Sequence, residues 1–310
     1  MPDKQPTAYI FDIEDFATQD GPGIRTVIFF KGCTLTCRWC SNPESQNNFP
    51  EILYSADLCK KCGTCIKTCP YDAVSFDKKN DLIFNRDLCL ICKEKPCIST
   101  CNYGALRIAG KKWNVDDLFE KVTVNAQYFA NSGGGITLSG GEPLLQPEFV
   151  RAFVNKCTER GFTVGLETCG FFKWDQVKDF ITEFDFIYFD IKCLDEELSK
   201  EHTGQSNRII LQNLQNLAKI FDPKKIILSL PLIPEITSTG ENISSVIEMC
   251  KKLEISSVRL LPYHTLGKGK YAELGREYKM KDEVKITDAE VRDIQQVIEN
   301  KNITCIIEGF

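Results

Sequence analysis

Short apolar runs alternate with helical repeats along most of the chain. The run at 26–30 (Thr-Val-Ile-Phe-Phe) has the continuous apolar character of a buried strand and ends just before Gly32. At 149–157 the apolar spacing, after Pro147 and before Gly161, predicts an amphipathic helix. Further strand-like runs occur at 135–138, 162–166, 186–191, 225–230, 258–261 and 304–307. This alternation predicts an α/β fold in which outer helices cover a parallel sheet.

The number of these units bears on the architecture. Roughly six or seven strand–helix units can be counted, which is fewer than the eight of a complete barrel. The pattern therefore predicts an open or partial barrel. Motifs that follow the strands are expected at the C-terminal ends of the strands, where barrels of this kind carry their chemistry.

Residues 51–109 interrupt this pattern with cysteines, lysines and short apolar pairs. They contain an internal repeat, 57–76 and 87–108, and both halves begin with Asp-Leu-Cys. Each half also contains an aromatic residue followed two positions later by alanine. We therefore predict a small two-part domain at 51–109, inserted between an N-terminal part at 1–50 and the remainder of the barrel at 110–310.

Composition excludes several classes of function. The chain has 310 residues, 43% of them hydrophobic, which is enough to bury a substantial core. Its net charge is -5 and its basic residues are scattered, which argues against a nucleic-acid partner. The N-terminal segment lacks the apolar core of a signal peptide, and no stretch approaches the ~18 apolar residues of a membrane span. The expectation is a cytoplasmic protein with no membrane partner.

Cysteine is the unusual component. The chain has 16 cysteines, and 11 of them fall in its first third. Because the cytosol keeps thiols reduced, metal ligation is expected rather than disulfides. Cys33, Cys37 and Cys40, spaced C-x3-C-x2-C, place three thiolates on one loop, so one iron of a four-iron cluster would stay open. A zinc site that takes Cys169 or Cys193 as its fourth ligand is the alternative.

A second motif gives this triad a context. Ser-Gly-Gly-Glu-Pro at 139–143 ends the next predicted strand, and with the triad it closely resembles the radical S-adenosylmethionine (SAM) superfamily. The resemblance implies a partial (β/α)6, TIM-like radical SAM barrel with an inserted ferredoxin-like two-cluster domain. It also implies that the open iron chelates the amino and carboxylate groups of SAM. The Gly-Gly-Glu-Pro segment would offer backbone groups to the SAM amino group, a role that suits glycine because it allows a close approach.

Two further motifs narrow the resemblance. Asp-Gly-Pro-Gly-Ile-Arg at 20–25 and Cys-Ser-Asn-Pro-Glu at 40–44 resemble the activating enzymes of glycyl radical enzymes, and the likeness runs along essentially the whole chain. The resemblance implies that Glu167 and Thr168 lie at a monovalent cation beside SAM, and that Asp-Ile-Lys at 190–192 lies at the cation and SAM. The positions implied at the SAM site are Trp39, Ser41, Gly140, Gly141, Glu142, Glu167, Thr168, Asp190, Ile191, Lys192 and His264.

Some positions have a simpler interpretation or depart from the family. Asp190 could cap a strand end. His264, which the family's Leu-Leu-Pro-Tyr-His motif places along SAM, could be an ordinary hydrogen-bonding residue. His202 has no assigned role. Where relatives commonly carry an arginine, on the strand that leads to a Pro-rich turn, this chain has Ser229. A contact to the SAM carboxylate or to the target loop is therefore expected to be made differently.

The inserted segment carries eight further cysteines. Its first half has the bacterial ferredoxin spacing C-x2-C-x2-C-x3-C-P, in which the fourth cysteine serves the other cluster. The second half has a longer gap and Asn102 in place of proline. A zinc ribbon is the alternative for any single C-x2-C pair. Crossed ligation would assign Cys59, Cys62, Cys65 and Cys101 to one 4Fe-4S cluster, and Cys69, Cys89, Cys92 and Cys97 to the other.

The predicted cofactors are three 4Fe-4S clusters, one that binds SAM and two in the insert, where they relay electrons or have a structural or docking role. The resemblance implies that an electron from a flavodoxin or ferredoxin-type donor cleaves SAM. The resulting 5′-deoxyadenosyl radical would remove a hydrogen atom from a glycine of a partner glycyl radical enzyme. A radical enzyme with a small-molecule substrate and a non-catalytic, ferredoxin-type electron carrier are the alternatives. The sequence does not decide which glycyl radical enzyme is the partner.

Overall fold

A nine-stranded, mostly parallel sheet forms the centre of the protein in the computed structural model, which describes residues 5–281 and 283–308. Residues 1–4, the start of the segment expected to lack signal-peptide character, lie outside the described residues. The strands are β1 (Thr7–Ala17), β2 (Arg25–Phe30), β3 (Glu51–Tyr54), β4 (Val74–Phe76), β5 (Leu82–Phe84), β6 (Leu106–Ala109), β7 (Lys111–Asn114), β8 (Gly135–Gly140), β9 (Thr163–Thr168), β10 (Phe186–Asp190), β11 (Ile226–Leu232), β12 (Ser257–Pro262) and β13 (Thr304–Ile307).

Helices connect most of these strands. They are α1 (Thr64–Lys67), α2 (Arg86–Ile91), α3 (Pro96–Ser99), α4 (Val115–Thr123), α5 (Ala126–Ser132), α6 (Pro147–Glu159), α7 (Glu196–Thr203), α8 (Arg208–Ile220), α9 (Gly240–Lys252), α10 (Lys268–Glu273) and α11 (Asp288–Glu299). The helix predicted from the spacing at 149–157 is α6, which buries Phe149 and Phe153 in the main core. In the part of the chain that the structure describes, no helix is both long enough and apolar enough to cross a membrane.

The main sheet has the order β13-β12-β11-β10-β9-β8-β2-β1-β7, and β2 and β8 to β13 run parallel. From β8 to β13 each strand lies beside the next strand of the chain, which is the winding of a (β/α) barrel rather than of a doubly wound sheet. Among the described strands, β13 and β7 have one neighbour each, so the sheet is open. The predicted α/β fold with a parallel sheet is confirmed, with seven parallel strands side by side.

Two strands at one side of the sheet are not predicted from the sequence. β1 pairs antiparallel with β2, and β7 pairs antiparallel with β1. Exposure alternates along β1, but a register shift between Ile10 and Asp12 reverses its phase, so that Ala8 and Ile10 are buried whereas Asp12 and Glu14 are exposed. This interrupted alternation does not keep the period of two that predicts a strand, so β1 is not predicted from the sequence.

The inserted segment forms two small sheets of its own. β3 pairs antiparallel with β6, and β4 pairs antiparallel with β5. Leu53 of β3 and Ala109 of β6 pack against Leu274, which directly follows α10. Arg107 forms an ion pair with Glu273 at 2.8 Å. The insert is thereby attached to the C-terminal part of the main domain, while its ferredoxin-like character stays a prediction.

Candidate active site

A cleft of about 480 Å³ opens at the C-terminal ends of the parallel strands. The cysteine loop follows β2, the Gly-Gly pair lies at the end of β8, and Asp190 ends β10, so the predicted motifs meet at one edge of the sheet. Glu142, Thr168 and Ile191 are buried and do not line the cleft. The predicted residues that do line it are Cys33, Cys37, Trp39, Cys40, Ser41, Gly140, Gly141, Glu167, Asp190, Lys192 and His264.

Backbone hydrogen bonds, both within the loop and to other segments, hold the cysteine loop in a compact turn. Gly32 has a φ of +100°, a left-handed conformation that glycine adopts without strain, and it starts the loop. The N–H of Cys33 donates to the carbonyl of Gln46 at 3.1 Å, and the N–H of Cys40 donates to the carbonyl of Cys37 at 3.1 Å. All three predicted cluster ligands therefore reach the cleft from one short segment.

The surroundings of these thiols suit a metal cluster. Burial raises the pKa of Cys40 to about 11 and also raises the pKa of Cys37, whereas a hydrogen bond with Cys169 lowers the pKa of Cys33. Buried thiolates need a compensating positive charge, which an iron-sulfur cluster would supply. Cys193, the other candidate zinc ligand, is not part of the cleft lining. Within residues 5–281 and 283–308, no three His, Cys, Asp or Glu side chains form a site for a single metal ion.

The Gly-Gly segment lies directly against the cysteine loop. The N–H of Gly141 donates to the carbonyl of Phe30 at 2.8 Å, and the N–H of Glu142 donates to the carbonyl of Gly32 at 2.7 Å. A Cβ on Gly141 would lie 2.2 Å from the Gly32 carbonyl oxygen. Gly140 has a φ of +103°, and its Cβ would lie 2.5 Å from the nitrogen of Phe30. Both positions require glycine because the two backbones are in contact.

The carboxylate of Glu142 braces this loop from behind. It is fully buried and accepts hydrogen bonds from the N–H of Leu144 at 3.0 Å, the N–H of Cys169 at 2.9 Å and the hydroxyl of Thr168 at 2.7 Å. Burial raises the pKa of Glu142. The side chains of Glu142 and Thr168 thus shape the wall of the cleft rather than its surface. Their contact with SAM stays a prediction.

Arg259 of β12 is a site residue that no motif in the sequence predicts. It is 4% exposed, and its guanidinium forms ion pairs with Glu167 at 2.9 Å and with Glu308 at 3.0 Å. The guanidinium also lies 3.7 Å from the centre of the Tyr188 ring, within the range of a cation–π contact. Its Nε donates to the hydroxyl of Ser229 at 3.0 Å. The position that departs from the family is therefore bonded to an arginine of the neighbouring strand, and that departure is the only sequence signal for it.

Further charged groups face the cleft. Lys192 forms an ion pair with Asp190 at 2.8 Å. Burial acts against the charge of Lys192, but the neighbouring Asp190 and Cys37 outweigh it and raise the pKa of the lysine. Asp20, from the Asp-Gly-Pro-Gly motif, has its pKa raised to about 7 by burial and by the nearby Glu167. The charge on this wall therefore depends on the pH near neutrality.

Of the two histidines, His202 lies beside Trp39 and His264 lines the cleft. Trp39 is buried, and the centre of its ring lies 6.2 Å from that of His202 on α7. The Nδ1 atom of His202 is buried and has no hydrogen-bond partner among the described residues. His264 lines the cleft, its Nδ1 accepts from the N–H of Leu266 at 3.3 Å, and burial lowers its pKa. The structure therefore places His264, and not His202, beside the predicted SAM site.

The cysteines of the insert surround two separate cavities. One is lined by Cys59, Cys62, Cys65 and Cys101, and the other by Cys69, Cys89, Cys92 and Cys97. Cys101 of the second half thus joins the first three cysteines, and Cys69 of the first half joins the other three. This is the grouping that crossed ligation of two 4Fe-4S clusters requires.

Comparisons with known proteins agree with the motifs. A model of the radical SAM superfamily matches residues 97–253, and a model of a 4Fe-4S binding domain matches residues 52–75. The chain is 38% identical to the indoleacetate decarboxylase activating enzyme of Tractidigestivibacter scatoligenes over 307 residues, 97% of each chain. It is also 38% identical to the isethionate sulfite-lyase activating enzyme of Oleidesulfovibrio alaskensis over 281 residues, 90% of each chain.

Among solved structures, a radical SAM methyltransferase from Sphaerobacter thermophilus matches with a TM-score of 0.51 and 12% identity, over 98% of this chain and 77% of that one. At this identity the match shows the fold alone. The full-length relatives and the superfamily match also show the family of the chain. The chain belongs to the radical SAM superfamily and, within it, to the activating enzymes that reductively cleave SAM and abstract a hydrogen atom from a glycine of a partner glycyl radical enzyme.

Proposed function

We propose that Cys33, Cys37 and Cys40 bind a 4Fe-4S cluster and leave one iron open for SAM in the adjoining cleft. The observation that carries this proposal is the contact between the cysteine loop and the backbone of Gly140 and Gly141 at the C-terminal edge of the sheet. When bound, the cluster would supply the electron that breaks a carbon–sulfur bond of SAM. The chain's own residues would position SAM and keep water away from the bond that breaks.

Different residues around the proposed open iron are proposed to bind different parts of SAM. The backbone of Gly140 and Gly141 is proposed to bind the SAM amino group, because no side chain separates it from the cleft. Lys192, held by Asp190 at 2.8 Å, places a fixed positive charge on the floor of the cleft for the SAM carboxylate. Trp39, Ser41 and His264 line the rest of the space and are proposed to contact the nucleoside part of SAM.

The same cleft is proposed to admit a glycine-bearing segment of the partner. A hydrogen atom can move to the SAM-derived radical only when the glycine carbon comes within about 3–4 Å of it. The partner must therefore place part of its chain inside the cleft. The relatives are named for a decarboxylase and for a sulfite-lyase at equal identity. The proposal accordingly concerns the class of glycyl radical enzymes and not one reaction.

The insert is proposed to hold two 4Fe-4S clusters that relay electrons from a flavodoxin or ferredoxin-type donor. Cys62 is exposed, whereas Cys89 and Cys97 are buried, so one cavity lies nearer the surface than the other. The insert is also tied to the segment that follows the triad. Arg276 pairs with Glu51 of β3 at 2.6 Å and donates to the carbonyl of Pro43. Arg276 thereby links the insert to the segment that follows the triad.

Anaerobic reconstitution tests the cluster and the reaction together. We expect wild-type protein with SAM and dithionite to release 5′-deoxyadenosine and to produce a glycyl radical EPR signal on one member of a panel of glycyl radical enzymes. Cys33→Ala should lose both signals, while Cys157→Ala, in the core of α6, should keep them. Release of 5′-deoxyadenosine with no glycyl signal on any partner would favour the small-molecule enzyme, and no release at all would favour the electron carrier.

A second experiment distinguishes an electron-relay role of the insert from a structural role. The double variant Cys69→Ala, Cys89→Ala removes two predicted ligands of one insert cluster. A relay role predicts that turnover driven by a reduced flavodoxin falls steeply, while dithionite, which can reduce the SAM cluster directly, still supports SAM cleavage. Equal losses with both reductants, together with a lower melting temperature, would contradict the relay and assign the cluster a structural role.

A further inference from the structure

The side chains expected at a monovalent cation are already paired with other groups. Both oxygens of the Glu167 carboxylate have partners, because Oε1 forms an ion pair with Arg259 at 2.9 Å and Oε2 accepts from the hydroxyl of Ser139. Asp190 has its Oδ2 bonded to the ammonium of Lys192 at 2.8 Å. The two carboxylates that would hold a cation therefore already have cationic partners that belong to the chain.

Thr168, the third expected ligand, faces away from the cleft. It is 1% exposed, and its hydroxyl donates to Glu142 at 2.7 Å and accepts from the N–H of Gly170 at 3.0 Å. A hydroxyl bonded in this way serves to hold the wall together. The residues present thus do not fit a bound sodium or potassium ion at this place.

Arg259 stands where that positive charge would be needed. It is 4% exposed, its guanidinium contacts Glu167 and Glu308, and the aromatic ring of Tyr188 lies 3.7 Å beneath it. The small side chain of Ser229, directly opposite on β11, leaves room for the arginine and accepts a hydrogen bond from its Nε. A guanidinium keeps its charge at any physiological pH, and its planar shape suits carboxylates.

We propose that the guanidinium of Arg259 replaces the monovalent cation of this family, so that SAM binding by this chain requires neither sodium nor potassium. The inference rests on the proposed function, since it assumes that SAM occupies this cleft. The charge on the wall is then built into β12 and does not depend on the ionic composition of the cell. Any group that SAM or the partner presents to this wall meets a fixed cation.

The test measures the dissociation constant of SAM for the reconstituted protein in buffers that contain choline, sodium or potassium as the only monovalent cation. Wild type should bind SAM equally, within about twofold, in all three. The Arg259→Met variant should bind SAM about tenfold more weakly than the wild type in choline, a factor typical of the coupling between two binding sites. Its affinity for SAM should recover when potassium or sodium is added. The Arg259→Lys variant keeps the positive charge, so its affinity for SAM should not depend on which monovalent cation is present.

A control variant separates the role of Arg259 from a general effect of losing an arginine. Arg292→Met removes an exposed arginine of α11 and should behave as wild type in every buffer. Affinity of the wild type that rises severalfold with potassium would overturn the proposal even if the Arg259 variants failed to fold. So would a folded Arg259→Met protein whose weaker binding no cation restores. Absence of SAM binding in all buffers would instead contradict the proposed function, so the two failures are distinguishable.

Discussion

The hydroxyl of Thr168 donates to the fully buried carboxylate of Glu142 at 2.7 Å, although the two residues lie on different strand-end segments. Two backbone N–H groups complete the set of donors to this carboxylate. The bonds join the end of β9 to the Gly-Gly loop after β8. A single buried carboxyl side chain therefore holds two parts of the cleft wall in register.

Glu142→Gln should destabilise the protein. The amide would present an NH2 group to donors that now face an oxygen, and hydrogen bonds to a charged group are worth about 1.5–3 kcal/mol each. We expect a loss of about 2 kcal/mol or more, measured as a lower thermal unfolding midpoint under anaerobic conditions. Glu120→Gln, on the exposed face of α4, is the matched control and should leave the midpoint unchanged. An unchanged midpoint for Glu142→Gln would mean that the carboxylate is protonated in the folded protein.

Exchanging Ser229 and Arg259 should show that the pair acts as a unit. Arg259→Ser leaves Glu167 and Glu308 without their buried partner, and breaking a buried ion pair costs about 3–5 kcal/mol. The two Cα positions are direct neighbours across β11 and β12. The double variant Ser229→Arg, Arg259→Ser should therefore recover about half of the lost unfolding free energy, since contacting sites are not additive.

Thermal or urea unfolding of the wild type, both single variants and the double variant measures this coupling. Ser229→Arg alone should also be destabilised, because it adds a second guanidinium beside the first. Losses that simply add in the double variant would contradict the prediction. They would show that an arginine on β11 cannot reach the carboxylates that Arg259 pairs with.

Double cysteine variants in the insert should reveal the crossed ligation. Cys69→Ala combined with Cys89→Ala disturbs one predicted cluster and should remove about four iron atoms per chain. Cys69→Ala combined with Cys59→Ala disturbs both clusters and should remove about eight. Iron and sulfide analysis of the reconstituted proteins measures the difference. Uncrossed ligation predicts the reverse, with the smaller loss in the variant that lacks Cys59.

Asp20 should make stability depend on pH. Its pKa is about 7 in the folded protein against an ordinary value of 3.8, so the folded state keeps a proton that the unfolded state has lost between these values. The stabilisation from Asp20 is thus complete below about pH 4, is lost as the pH rises to about 7, and changes little above that. Asp20→Asn should remove this dependence and be relatively more stable than wild type at pH 8 than at pH 5.

Thermal unfolding across this pH range measures the difference between the variant and the wild type. Asp12→Asn, on the exposed face of β1, provides the control and should follow the wild-type curve. Parallel curves for Asp20→Asn and wild type would show that the carboxyl is ionised throughout. Glu167 and Arg259 also face Asp20, so the measurement is made in wild-type background at these positions.

The sequence predicts those parts of the site that depend on local order in the chain. The cysteine loop, the Gly-Gly pair and the Asp190 segment each follow a recognisable strand, and the winding of a parallel barrel brings strand ends together. Arg259 could not be predicted in the same way. A charged residue within a strand resembles a solvent-facing position, and its burial depends on Glu167 and Glu308, which lie far away in the chain. β1 and β7 are not predicted because they join the sheet as antiparallel strands and lie outside the strand–helix repeat that identifies the parallel strands.

The direct contact between the Gly-Gly backbone and the cysteine loop has a mechanical consequence. Because no space separates Gly141 from Gly32 and a backbone hydrogen bond joins the two loops, we expect the loops to move together. Changes of shape that admit a large protein substrate must then arise elsewhere on the rim, such as the exposed stretch around Leu266, which is 82% exposed. The spacing between the proposed cluster and the proposed SAM site would thus be decided when the chain folds, before any partner is encountered.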